Sequence, residues 1–140
     1  MREQKGHLVD QEVDFAADEQ LVSTTDLRGV ITYANDNFCR VAGYSRAELV
    51  GQHHNMVRHP DMPKAAFADL WGKLKQGQPW RGMVKNRCQD GRYYWVYASV
   101  NPNFRNGRVV AYTSIRRKPA RSKINDTIAH IAALKCCGEA

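Results

Sequence analysis

The sequence predicts an α+β fold, a five-stranded antiparallel sheet with helices on one face. Two β-branched stretches precede a helical insert and three longer strand-like stretches follow it, an order that closes as one sheet with the insert packed against it. Glycines at Gly29, Gly91 and Gly107 punctuate the tight connections, as antiparallel hairpins require. Ala66, Phe67, Leu70, Trp71 and Leu74 recur at intervals of three and four, an apolar stripe that a domain core would cover.

Taken in order, Met1 to Asp18 lacks clear periodicity and holds five acidic residues, Glu3, Asp10, Glu12, Asp14 and Asp18. It reads as a mobile leader or loosely docked cap outside the core. Gln20 to Thr25 and Val30 to Ala34 form a hairpin around Asp26-Leu27-Arg28-Gly29. Asn35-Asp36-Asn37 then caps a short helix that puts Phe38, Val41 and Ala42 on one face and ends at Gly43. Ser45 with Glu48 is a capping-box pair opening a second turn that stops at Gly51. Gln52 to Met62 is polar and irregular, with His53, His54 and His59, and leads into a helix from Pro63 to Lys75. Trp80 to Cys88, Arg92 to Asn101 and Arg108 to Arg117 are the last three strands. Beyond Pro119, Ile124, Ile128, Ile131 and Leu134 mark one face of an amphipathic helix over 122–135, whose partner is expected to lie outside so short a tail. The expected organisation is a leader over 1–18, a folded domain over 19–118 and a linker helix over 119–140.

At 140 residues, 43% apolar and 25% charged, the chain is sized and composed for one core without a stabilising metal or disulfide. Its apolar runs fall far short of the ~20 residues of a membrane helix, and the polar first 18 residues do not make a signal peptide. A cytoplasmic location follows as the expectation. Cys39 and Cys88 are isolated and Cys136-Cys137 adjacent, which matches neither a zinc site nor a disulfide framework, so reduced thiols and no metal are expected. The net charge is +7, but 11 basic residues against Asp90 alone lie between Arg81 and Lys123, so the rest of the chain is net acidic. Because those cations alternate with apolar residues at strand spacing, they are assigned to a wet sheet face. No recognition helix or nucleic-acid motif accompanies them. No nucleophile motif or placed pair of carboxylates marks an enzyme, and no catalytic residue is assigned.

Three segments together resemble a PAS sensor domain. They are Tyr33-Ala34-Asn35-Asp36-Asn37-Phe38 with Gly43-Tyr44-Ser45, the run from Gly51 to Pro63, and Trp80-Arg81-Gly82 through Asn86-Arg87 with Gly91 and Tyr94-Trp95-Val96. The likeness covers roughly Val22 to Pro119, and its stretch from His54 to Phe67 resembles the N-terminal PAS domain of bacterial aerotaxis receptors. The resemblance implies a signalling domain that binds FAD non-covalently and senses redox state. It further implies that Asn35, His54, Arg58, His59, Asp61, Phe67, Trp71, Trp80, Asn86 and Tyr94 line or support the pocket.

Those residue types suit the task. A flat ring with polar edges favours aromatic walls and a few fixed amides, and Arg58 suits a pyrophosphate. Asp61 can orient a histidine or cap the helix after it. Plainer readings stand beside these: Phe67 and Trp71 as core packing, Asn35 as a helix cap, His59-Pro60-Asp61 as a rigid turn. Light-sensing flavin members of the family carry an adduct-forming cysteine shortly after the glycine matched by Gly51, where this chain has His54, so redox sensing is favoured over photochemistry. A haem held by His53, His54 or His59 is one alternative, and a cofactor-free dimerisation or docking module using Ile124 to Leu134 is another. Receptors of this kind continue into a membrane anchor, a HAMP-like linker module and a chemoreceptor signalling module, which are the expected partners of a parent protein. A homodimer is a further expectation.

Overall fold

Asp26 turns the first hairpin by accepting, on one carboxylate oxygen, the backbone N–H groups of Arg28 (2.8 Å) and Val30 (3.0 Å). Gly29 completes the turn at φ 87°, the left-handed region that only glycine enters freely. The hairpin joins β1 (Leu21–Thr25) to β2 (Ile31–Ala34). In this computed structural model, which describes residues 8–136, there follow α1 (Asp36–Ala42), α2 (Arg46–Leu49), a single 3-10 turn (His54–Val57) and α3 (Lys64–Lys75). The strands β3 (Trp80–Arg87), β4 (Tyr93–Arg105) and β5 (Arg108–Arg117) come next, and then α4 (Arg121–Cys136). The strands form the expected five-stranded antiparallel sheet, and its order is β2-β1-β5-β4-β3.

Local chemistry explains the helical insert. The Asn35 carboxamide accepts from the N–H of Phe38 and of Val22 and donates to the carbonyl of Gln20, so one side chain caps α1 and ties it to β1. The capping box of Ser45 and Glu48 is present in both directions. Arg58 forms an antiparallel bridge with Asn86, which pins the irregular segment to the free edge of β3.

Register divides the sheet into two faces. Leu21, Ser23, Val84, Asn86, Tyr94, Val96, Ala98, Tyr112, Ser114 and Arg116 alternate onto the helix-covered side. The main core lies there, with Phe38, Val41, Leu49, Val57 and Leu74 from the insert. The opposite face carries Met83, Lys85, Tyr93 and Trp95.

Three expectations change. The leader is not outside the core: the N–H of Val9 donates to Gly91 and that of Val13 to Tyr93, while Phe15 is buried and meets Tyr94 edge-on at 6.4 Å. The α4 helix has its partner outside the tail, as expected, since Ile124 and Ile131 are buried in a second cluster with Met62 and Trp95. Ile128 breaks the predicted stripe and points outward, 49% exposed. The wet face is only partly wet, because Arg87 and Arg116 are buried, Arg116 at 2% exposure on the inner face. The leader's Glu3 and Cys137 of the Cys136-Cys137 pair lie outside the described residues.

Candidate functional site

Between α3 and the inner sheet face lies a cavity of about 100 Å³. It explains why Phe67, Leu70 and Trp71 stay half-buried: the predicted stripe on α3 faces this space, and only Leu74 below it is buried. Trp71 meets Tyr112 edge-on across the opening at 5.8 Å. Gly29 has no side chain because a Cβ there would lie 2.8 Å from the His53 ring.

Five of the ten expected residues line this cavity: His54, Arg58, Phe67, Trp71 and Asn86. Arg58 lies over the Phe67 ring, its Cζ 4.4 Å from the ring centre, at the exposed rim. The other five do not line it. Asn35 is occupied as the cap of α1. His59 and Asp61 turn to the outer side: His59 packs edge-on to Tyr93, and Asp61 receives a hydrogen bond from Lys85 Nζ at 2.9 Å. Alternation along the edge-bridged segment causes this, since Arg58 takes the inner side and its neighbour must take the other. Trp80 is buried in the core and donates from Nε1 to Asp69 (2.9 Å), and Tyr94 is buried behind the wall beside the Asn86 side chain.

Arg116 is the residue that sequence reasoning missed. Its guanidinium donates to Ser23 Oγ (2.7 Å), Ser114 Oγ (2.9 Å) and His54 Nε2 (3.2 Å), and it covers the Phe38 ring at 4.4 Å. No carboxylate lines the cavity, and Arg116 Nε has no hydrogen-bond partner among the described residues. Burial lowers the Arg116 pKa to about 10, so the group is still charged at neutral pH. Its signal was present in the sequence, because Tyr112, Ser114 and Arg116 share one strand parity.

His54 is neutral. Burial, and then the charge of Arg116, pull its pKa down to about 3. Since Arg116 donates to Nε2, the ring proton belongs on Nδ1. His53 Nδ1 accepts the N–H of Asn55, which places the proton of that ring on Nε2. Cys39 and Cys88 are free thiols away from the cavity, and burial pushes Cys88 up to about 12.

The PAS fold model matches residues 31–116. The chain belongs to the PAS family. This PAS chain is 52% identical over 118 residues to the aerotaxis receptor of Escherichia coli K12, covering 84% of the chain and 23% of that receptor. It is 37% identical over 97 residues to the nitrogen fixation regulatory protein of Klebsiella pneumoniae, covering 69% of the chain and 20% of that protein. The light-state structure of the blue-light photoreceptor Aureochrome1 LOV superposes with a TM-score of 0.70 at 21% identity, over 79% of this chain and 92% of that one, a likeness of fold. No helix among the described residues is long and apolar enough to cross a membrane.

Proposed function

We propose that this PAS domain is a redox sensor that binds FAD non-covalently in the inner cavity, on the cytoplasmic side of a parent receptor. Its expected partners there are a HAMP-like linker module and a chemoreceptor signalling module. The observation that carries the reading is the cavity itself: apolar, aromatic-walled, free of carboxylates, and holding the buried cation Arg116 with an unpartnered N–H. Burying a charge without a counter-ion is unfavourable, and a ligand that presents negative character or carbonyl oxygens to it relieves that penalty. Phe67 and Trp71 would hold the faces of a flavin ring and Asn86, His54 and Arg116 its polar edges, while Arg58 at the rim suits a pyrophosphate. Bound there, the flavin supplies reversible uptake of electrons.

The chain's own residues supply the rest. Leu70, Leu74, Val84 and Val100 exclude water, so a change of charge in the cavity acts on Arg116 and His54 at low dielectric. Asn86 pairs with Tyr94 across β3 and β4, and Tyr94 meets Phe15 of the leader. A flip of the Asn86 amide or a shift of His54 therefore has a packed route to the surface that contacts a downstream module.

Haem fits less well. Arg116 occupies the Nε2 lone pair of His54, His53 carries its proton on Nε2, and His59 does not line the cavity. Adduct photochemistry has no cysteine in the wall. The test is amide exchange on the FAD-loaded protein before and after dithionite. Reduction is expected to change protection at 84–96 and 9–15, and identical exchange in the two states rejects redox signalling through this route.

A further inference from the structure

The hairpin of β4 and β5 overruns both of its neighbours. β3 stops pairing at Trp80↔Val100 and β1 at Thr25↔Tyr112, so 101–111 project as a two-stranded ribbon of about four residue pairs, roughly 14 Å long. Asn103 and Thr113 brace its root with a side-chain hydrogen bond of 2.9 Å, and Asn106 (φ 52°) and Gly107 (φ 77°) turn its tip. Apolar side chains are displayed there: Phe104 is 58% exposed and Val110 41%. Phe104 also reaches back to Gly77, where a Cβ would lie 3.5 Å from its ring, which sets the last turn of α3 beside the ribbon.

The charge around these apolar groups has one sign. Arg105 and Arg108 flank the tip, and Lys73 and Lys75 lie in the adjoining end of α3, all four exposed. None of the four forms an ion pair among the described residues, and neither 70–80 nor 101–111 contains an acidic residue.

We propose that this overhanging ribbon is a peripheral contact for an anionic lipid surface, with Phe104 and Val110 entering the headgroup region and Arg105, Arg108, Lys73 and Lys75 meeting lipid phosphates. A projecting tip suits entry into a bilayer interface, and basic residues beside interfacial apolar groups add electrostatic attraction to anionic lipid. The ribbon is rooted at Tyr112, part of the cavity wall, so the contact holds the cavity close to the membrane.

The test is co-sedimentation of the full chain with vesicles of phosphatidylcholine alone and with vesicles that also contain the anionic lipid phosphatidylglycerol. Binding is expected only to the anionic vesicles and to weaken at high salt. The double variant R105E/R108E is expected to lose at least about tenfold in partitioning, and F104S several-fold. K123E, on α4 and away from the ribbon, is expected to bind as the parent does. Circular dichroism melts check that each variant is folded, and V110S replaces F104S if the latter is not. Absence of binding to anionic vesicles overturns the proposal. So does binding that the Phe104 and Val110 variants leave unchanged and soluble heparin competes away, which would assign the ribbon to a soluble polyanion.

Discussion

Arg116 and Lys85 are cations on one sheet, on opposite faces, and the fold treats them differently. Lys85 on the outer face is closed off: its ammonium bonds Asp61 at 2.9 Å, lies 4.4 Å over the Tyr93 ring and sits beside Trp95, in a region sealed by Ile124 and Ile131 of α4. Arg116 on the inner face receives two hydroxyls, one imidazole and one aromatic ring, but no carboxylate. The outer face completes its own electrostatics and serves stability. The inner face leaves a charge for something else to complete. The two faces should therefore separate under mutation, one through folding and the other through ligand.

The largest effect is expected on the outer face. Trp95→Ala removes the aromatic centre of the second cluster and should lower stability by about 3–5 kcal/mol in urea unfolding, because α4 and Met62 lose the surface they pack on. The inner face comes next: Arg116→Met should weaken FAD binding, read by fluorescence quenching, by about 2–3 kcal/mol, with Arg116→Lys recovering part of it. An unchanged affinity would remove the contrast between the faces.

A third test uses pH. With His54 at about 3 in the folded protein against 6.5 unfolded, the unfolded chain takes up its proton first. Its contribution is complete above pH 6.5 and is lost as pH falls from there toward 3, at up to about 1.4 kcal/mol per pH unit. His54→Gln should flatten that part of the urea-derived profile. The smallest effect is assigned to Asn35→Ala, about 1 kcal/mol through the lost cap, with FAD affinity unchanged. A large loss of binding there would return Asn35 to the ligand set.

The hairpins and the caps were legible because each is set by neighbours in sequence: Asp26 with Gly29, Asn35 with Phe38, Ser45 with Glu48. The PAS resemblance holds with them. The site was half legible. Phe67, Trp71, Asn86, Arg58 and His54 followed from the resemblance, and their residue types suit the cavity they line. His59 and Asp61 lie outside the cavity wall because one residue of register at a sheet edge reverses which side a side chain meets, and the Arg58–Asn86 bridge that sets this parity is a long-range contact. Arg116 was hidden by composition. A run of arginines and lysines reads as a solvated face until strand parity puts one of them inward, beside Ser114 and Ser23. The docking of Phe15, and of α4 through Ile124 and Ile131, depends on packing surfaces far away in the chain.

The most direct test of the central claim, that the inner cavity holds a flavin against Arg116, is the absorbance spectrum of the full chain after incubation with FAD and removal of free cofactor, recorded before and after dithionite. Flavin bands are expected that travel with the protein, bleach on reduction and return in air, and that R116M fails to retain. A Soret band, or a protein that stays colourless with added FAD, would contradict it.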